Sequence, residues 1–205
     1  MHKETWSFIE TEKDKLRDTA TKMAYEATRE SRLLGTKPCG VFFGPSATLL
    51  KDIKHYGLEK IYFFETLTDL TPEILATYLC PLISQRQPLL ILFACTSTGA
   101  ELGSRVAAKL KKGFISNCVE FELSGGILIA RKPLYEGKSY GYFTFRGEPP
   151  YIATINEISQ EAVKVENAKA PEIVREQYEE PSIKTRFIKS WRLALKELGI
   201  TEAQV

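Results

Sequence analysis

The stretch LLILFACTSTGAELGSRVAAKLKKGF, residues 89–114, decides the fold. An apolar run ends at Cys95, a cluster of hydroxyl residues follows, and an amphipathic segment then ends in lysines. This order predicts a buried strand that leads directly into a helix. The first amides of such a helix can be capped by a side chain of the cluster, or they can bind a phosphate.

The hydroxyl cluster therefore has two interpretations. Thr98 and Glu101 have the spacing of a capping box, in which the two side chains bond the helix N-terminus without any ligand. Alternatively, a nucleotide phosphate binds the loop at the carboxyl end of a parallel strand. The residues of that candidate site are Thr96, Ser97, Thr98 and Gly99. The residues alone favour the cap because its signature is common, and they leave the ligand open.

Strand and helix patterns alternate on the N-terminal side of this stretch. Apolar runs predict strands over 6–10, 39–44, 60–65 and 89–94. Spaced apolar residues predict helices over 16–34, 46–57 and 71–83, in addition to the helix after Cys95. Four strand–helix units in succession predict a mostly parallel, Rossmann-like sheet with helices on both faces, a three-layer α/β/α sandwich.

The predicted helices carry terminal signals. Gly35 follows the first helix and Gly57 follows the second, as expected for residues past a helix C-terminus. Ser46 and Thr71 are predicted as N-caps, and Pro72 suits the first helical position.

The pattern changes after residue 114. Short alternating strands are joined by Ser124-Gly125-Gly126 and by Glu136-Gly137, which predicts an antiparallel hairpin added to the parallel core. From about residue 160 the chain is charged and contains prolines, which predicts an exposed linker or arm and then a helix over 188–199. We therefore divide the chain into a domain over 1–159 and an arm with a helix over 160–205.

Composition narrows the classes of function. The chain has 205 residues, 43% of them hydrophobic, a formal net charge of +2, and no run of basic residues that suggests nucleic acid. No apolar run approaches the roughly 18 residues of a membrane span, and the N-terminus has no signal-peptide core. Four scattered cysteines without a CxxC pair predict reduced thiols and a cytoplasmic location.

Several catalytic chemistries are not supported. The two histidines, His2 and His55, give neither a zinc site nor a Ser-His-Asp system, and His55 has a structural role at a helix end. Glu101 stands where a phosphatase loop starting at Cys95 would need an arginine. No Walker A or G-x-G-x-x-G pattern follows a strand. We predict no catalytic residue and no metal ligand.

Residues 92–123 resemble the signature of the electron transfer flavoprotein alpha subunit, in which a strand leads into a T-S-x-G motif. The residues that carry this resemblance are Thr96, Ser97, Gly99, Leu102, Arg105, Ala107, Ala108 and Gly113. A second set resembles the family's R-P-x-Y-x-G-K hairpin and the R-x-x-P-x-x-A-T segment after it: Arg131, Pro133, Tyr135, Gly137, Lys138, Arg146, Pro149, Ala153 and Thr154. YGLEKIYFF, residues 56–64, resembles the family's third strand, so the resemblance covers about 6–155.

The resemblance implies an N-terminal alpha-subunit domain that pairs with a beta subunit. The assembled protein would carry electrons through FAD between flavin-dependent dehydrogenases and an acceptor. Most FAD contacts would come from a second alpha-subunit domain, into which the segment ending at Val205 is expected to lead. The beta subunit would bind AMP or a second flavin in its corresponding loop, whereas the alpha-type loop is generally empty. This favours the cap at Thr98.

Two alternatives remain open from the sequence. One is a stand-alone AMP- or ATP-binding module of the same fold. The other is an interaction protein that lacks a flavin domain.

Overall fold

The computed structural model describes residues 3–12, 15–66, 70–156 and 161–177. The strands are β1 (Glu4–Ile9), β2 (Thr11–Glu12), β3 (Lys15–Leu16), β4 (Lys37–Gly44), β5 (Lys60–Glu65), β6 (Leu90–Ala94), β7 (Phe114–Cys118), β8 (Glu120–Ser124), β9 (Ile127–Leu134), β10 (Ser139–Thr144), β11 (Tyr151–Ile155) and β12 (Glu172–Glu176). The helices are α1 (Thr19–Leu34), α2 (Pro72–Arg86) and α3 (Ser97–Leu110), with two 3-10 helices over Ala47–Asp52 and Lys54–Tyr56.

Seven of the described strands form one parallel sheet in the order β12-β5-β4-β1-β6-β11-β7. β1 and β6 are neighbours in the middle, and the chain builds outward from them in opposite directions. Their carboxyl ends therefore mark the topological switch point of the sheet, where ligands bind in open α/β sheets.

Apolar side chains on both faces of the sheet form the core. On one face, α1 contributes Ala20, Met23, Ala24 and Ala27 to a cluster with Phe42 and Phe63 of the sheet. On the other face, α2 and α3 contribute Leu79, Ile83, Leu102 and Val106 to a cluster with Trp6 and Phe93. Strands buried on both sides are apolar almost throughout, which is why their runs are visible in the sequence. The predicted α/β architecture is confirmed.

The added antiparallel unit differs from the prediction in extent. Three strands, β8, β9 and β10, form a separate antiparallel sheet, whereas β7 and β11 pair in parallel within the main sheet. The predicted antiparallel addition is confirmed for β8, β9 and β10, but it included β11, which pairs in parallel, and this part of the prediction is wrong. Phe121, Leu128 and Ala130 place the three-stranded sheet against the α1 face of the core.

Some helix limits also differ from the prediction. α1 begins at Thr19 and not at Leu16, because Leu16 pairs with Thr11 in a short antiparallel ladder. The segment after Ser46 forms 3-10 helix, although Ser46 caps it as predicted by accepting a bond from Thr48 N.

The two predicted stop glycines are confirmed. Gly35 and Gly57 have φ of 63° and 85°, the left-handed conformation expected past a helix end. Thr71 does precede α2, but its side chain makes no cap hydrogen bond.

The described part of the predicted arm, residues 161–177, lies along the domain. Val165 N donates to His55 O, and β12 then pairs in parallel with β5 at the edge of the sheet. Arg175 reaches Glu65 at 2.6 Å, and Arg86 reaches Glu176 at 3.3 Å. The predicted helix over 188–199 lies outside the described residues, and the division of the chain at 159/160 stays a prediction.

Helix α1 also buries two carboxylates that share one guanidinium. Arg29 Nη2 lies 2.8 Å from Glu26 Oε2 and 2.7 Å from Glu30 Oε1. Burial raises the pKa of Glu26 to about 7, with Arg29 acting in the opposite direction and Glu30 adding to the rise. Burial likewise raises the pKa of Glu30. When both carboxylates are ionised, the single positive charge of Arg29 balances only one of the two buried negative charges.

We predict that Glu26→Gln stabilises the protein at pH 8 and much less at pH 5. Folding raises the Glu26 pKa from its ordinary value of 4.5 to about 7. The ionised form is therefore penalised in the folded state, and the penalty grows as pH rises through this window. A shift of this size corresponds to roughly 3 kcal/mol at most. Urea denaturation at pH 5, 6, 7 and 8 measures the difference from the wild type.

The matched control is Glu101→Gln, because Glu101 is an exposed carboxylate in an ion pair with Arg105 on α3. Its effect on the free energy of unfolding is expected to stay constant over the same pH range. A Glu26→Gln effect that is equally independent of pH would contradict the prediction.

Candidate functional site

The candidate site lies where β1 and β6 end side by side. β1 ends at Ile9 and is followed by Glu10, while β6 ends at Ala94 and is followed by Cys95 and Thr96. α3 starts immediately beyond, so its N-terminus faces the end of β1. The sequence correctly predicted this strand–loop–helix arrangement, but it did not predict which side chains meet there.

Thr96 is the N-cap of α3. Its backbone is extended, with φ −85° and ψ 168°, and its Oγ1 accepts a hydrogen bond from Gly99 N at 2.9 Å. Thr98 lies inside the first turn of the helix. The predicted capping box of Thr98 and Glu101 is therefore wrong, because the helix starts two residues earlier than that spacing requires.

Glu101 has a different partner. Its Oε1 accepts a hydrogen bond from Arg105 Nε at 2.8 Å, an i,i+4 ion pair on the exposed face of α3. The position that a capping box would give to Glu or Gln is occupied by Gly99, which has no side chain to reach back. The cap of α3 is thus a single hydroxyl.

The same hydroxyl binds a buried carboxylate from β1. Thr96 Oγ1 donates to Glu10 Oε1 at 2.6 Å, and Arg17 Nη1 lies 3.3 Å from Glu10 Oε2. The Glu10 side chain is 2% exposed, and Arg17 N also bonds the Glu10 carbonyl. Glu10 was not among the residues predicted for the site. Its signal was an acidic residue directly after an apolar strand, at the end where ligand sites form.

The pKa of Glu10 is raised. Burial is the largest cause, and the hydrogen bond from Thr96 and the charge of Arg17 act in the opposite direction. The two partners therefore only partly compensate for the loss of water around the carboxylate.

Gly99 is required by the close approach of α3 to this corner. A Cβ atom at Gly99 would overlap the carbonyl oxygen of Ala94 and would lie 2.9 Å from Glu10 Oε1. The first turn of α3 thus packs directly on the end of β6 and on the Glu10 carboxylate.

The four predicted site residues do meet at this N-terminus. Gly99 is buried, Thr96 and Thr98 are half-buried, and Ser97 is exposed. Nucleotide binding by these four residues stays a prediction.

A second polar cluster lies beside the first, at the ends of β6, β7 and β11. Asn117, with φ of 59°, accepts hydrogen bonds on Oδ1 from Asn156 Nδ2 at 2.9 Å and from Cys95 Sγ at 3.7 Å. Asn117 N donates to Thr154 Oγ1 at 2.7 Å. These bonds join three strand ends and fix the loops around the switch point.

The cysteines are free thiols, and Cys39 and Cys118 are buried. Burial raises the pKa of Cys118 to about 12 and also raises that of Cys39, so neither is an activated thiolate. Among the described residues, no three His, Cys, Asp or Glu side chains are grouped to hold a metal. No described helix is both long enough and apolar enough to cross a membrane.

Comparison with known proteins gives a family match. The family model described as "Electron transfer flavoprotein domain" matches residues 5–181. "Protein FixB" of Clostridium saccharobutylicum is 23% identical over 209 residues, which cover 100% of this chain and 63% of that protein. "Electron transfer flavoprotein subunit alpha" of Clostridium acetobutylicum is 24% identical over 213 residues, covering 100% of this chain and 63% of that protein.

A third relative has a different name. "Acryloyl-CoA reductase electron transfer subunit beta" of Anaerotignum propionicum is 27% identical over 124 residues, 59% of this chain and 34% of that protein. The chain spans less than two thirds of the length of each of these relatives.

We predict that Thr96→Ala destabilises the protein far more than Thr98→Ala. The Thr96 substitution removes the N-cap, at a cost of about 1 kcal/mol. It also removes a donor from the buried Glu10 carboxylate, at a further cost of about 1–3 kcal/mol. Thr98→Ala should cost less than about 0.5 kcal/mol. Chemical denaturation at pH 7 measures the loss of unfolding free energy for both variants. An equal or larger loss for Thr98→Ala would support the capping box of Thr98 and Glu101 instead.

Proposed function

The chain belongs to the electron transfer flavoprotein domain family, and we propose that it is the N-terminal domain of an alpha subunit. In this role it pairs with a beta subunit and supports electron transfer by FAD between flavin-dependent dehydrogenases and an acceptor. The observation that carries the proposal is the family match over residues 5–181. Alignment of the full chain with relatives named as alpha subunits and FixB supports the alpha-type assignment.

The described residues do not fit a flavin at the switch point. The Glu10 carboxylate lies against the first turn of α3, where a flavin phosphate would need the free amides of the helix. We therefore propose that FAD is bound mainly by parts of the assembled protein outside this chain, and that any AMP lies on the beta subunit. The chain then acts as an electron-carrier component without catalytic residues of its own.

The outer face of the three-stranded sheet is the surface that we propose for the beta subunit. We define this face by Ile127, Ile129, Arg131, Tyr140 and Tyr142; in β9 these residues alternate with Leu128 and Ala130, which lie in the core cluster with α1. Ile127, Tyr140 and Tyr142 are 56%, 50% and 63% exposed. Exposed aromatic side chains grouped with an arginine are the composition that protein interfaces favour.

Contacts within the outer face fix the orientation of its central side chains. The Arg131 guanidinium stacks 4.8 Å from the Tyr140 ring centroid and forms an ion pair with Glu120 at 2.8 Å. Tyr142 lies opposite Arg131 in the ladder. A partner surface would therefore meet a Tyr140 ring that is already held by Arg131, which reduces the entropy cost of association.

The stand-alone nucleotide module is less well supported, because its phosphate position coincides with a buried carboxylate. We propose that the assembled protein is cytoplasmic, because the four cysteines of this chain are free thiols and disulfides are rare in that compartment.

We predict that the chain forms a one-to-one complex with the cognate beta subunit, and that Tyr142→Ser weakens the complex at least tenfold. An exposed tyrosine that becomes buried on association is a common interface hot spot, and a tenfold loss corresponds to about 1.4 kcal/mol. Light scattering gives the stoichiometry and titration calorimetry gives the affinity. The purified chain alone should show no flavin absorbance.

The control is Leu33→Ser, which truncates an exposed apolar residue on α1, outside the outer face, and should leave the affinity unchanged. Absence of a complex with the wild-type chain would contradict the proposed function. A complex that Tyr142→Ser does not weaken would contradict only the proposed surface.

A further inference from the structure

We infer that Glu10 closes the switch-point crevice of this domain to phosphate-bearing ligands, its carboxylate taking the position that a ligand phosphate would occupy. The inference concerns this chain alone and does not depend on its pairing with a beta subunit. It identifies Glu10 as a specificity-determining residue, since a single side chain decides whether the nucleotide position of the fold is open.

The topology places Glu10 at the only switch point of the described sheet. β1 pairs with β4 on one side and with β6 on the other, so the residue after β1 faces the crevice between the two halves of the sheet. In open α/β sheets this crevice, together with the N-terminus of the adjacent helix, is where nucleotides bind.

The contacts of Glu10 show that the carboxylate fills this position. One oxygen accepts the hydroxyl proton of Thr96 at 2.6 Å, and the other lies 3.3 Å from Arg17 Nη1. Thr96 is at the same time the cap of α3, accepting from Gly99 N. The two groups that would otherwise be offered to a phosphate, a hydroxyl and a guanidinium, are thus both used by the chain's own carboxylate.

The volume and the charge of the Glu10 side chain both oppose the binding of a phosphate. Glu10 Oε1 lies so close to α3 that a Cβ atom on Gly99 would be only 2.9 Å from it, which leaves no room for a phosphate between them. An ionised Glu10 would also repel a phosphate dianion at short range, with little water to screen the repulsion. A ligand could enter only if the carboxylate were removed or displaced.

The test is to open the crevice by substitution and to titrate with inorganic phosphate and with AMP. Glu10→Ala removes both the volume and the charge, and Glu10→Gln removes the charge while it keeps the volume and a carbonyl acceptor for Thr96. We expect at least tenfold tighter binding of phosphate and AMP to Glu10→Ala than to the wild type, with Glu10→Gln in between. Amide chemical shifts in NMR spectra should move at Ser97, Thr98 and Gly99.

The matched control is Glu101→Ala, which removes an equal charge from α3 outside the crevice. Its affinity for phosphate and AMP should stay within twofold of the wild type. A similar gain in this control would mean that net charge, and not the crevice, limits binding.

Three results would overturn the inference. The first is tight AMP binding by the wild-type chain, together with changes in the amide chemical shifts of residues 97–99. The second is a folded Glu10→Ala variant that binds no better than the wild type. If Glu10→Ala does not fold, Glu10→Ser decides, because it also removes the volume and the charge, and unchanged phosphate binding by that variant is the third.

Discussion

The hydrogen bond between Thr96 and Glu10 is the contact on which the centre of this domain depends. It connects the end of β1 to the first turn of α3, across the point where the two halves of the sheet meet. One hydroxyl both caps the helix and satisfies a carboxylate that is almost completely buried. Because a buried carboxylate without partners is costly, this pair adds a specific polar constraint to the apolar packing that positions α3 relative to β1.

Much of the fold could be predicted because strands covered on both faces leave continuous apolar runs. The strand β5 over 60–65 and the stop signals at Gly35 and Gly57 follow directly from local physical rules. The parallel placement of β7 and β11 could not be predicted in this way. Their hydrogen-bond partners lie far away in the chain, and the glycine turns nearby suggested hairpins.

The candidate site shows the same limit. Its location followed from the strand–helix junction, but its chemistry depends on Glu10, which is 86 residues away from Thr96 in sequence. The choice of Thr96 over Thr98 as cap was also not local, because the hydroxyl that faces Glu10 gains a second bond.

The pairing of β12 with β5 was missed for another reason. Residues 172–176 are charged and carry no strong alternation, and two exposed or half-buried ion pairs attach the strand.

A nucleotide-type fold can thus keep its architecture while it loses its ligand position. The crevice, the glycine and the helix N-terminus are all present, and a side chain from the neighbouring strand occupies the space between them. Such an arrangement agrees with the proposed role, in which the cofactor is held outside this chain. The switch point then stabilises the junction of β1 and α3, and the outer face of the antiparallel sheet, the surface proposed for the beta subunit, is exposed.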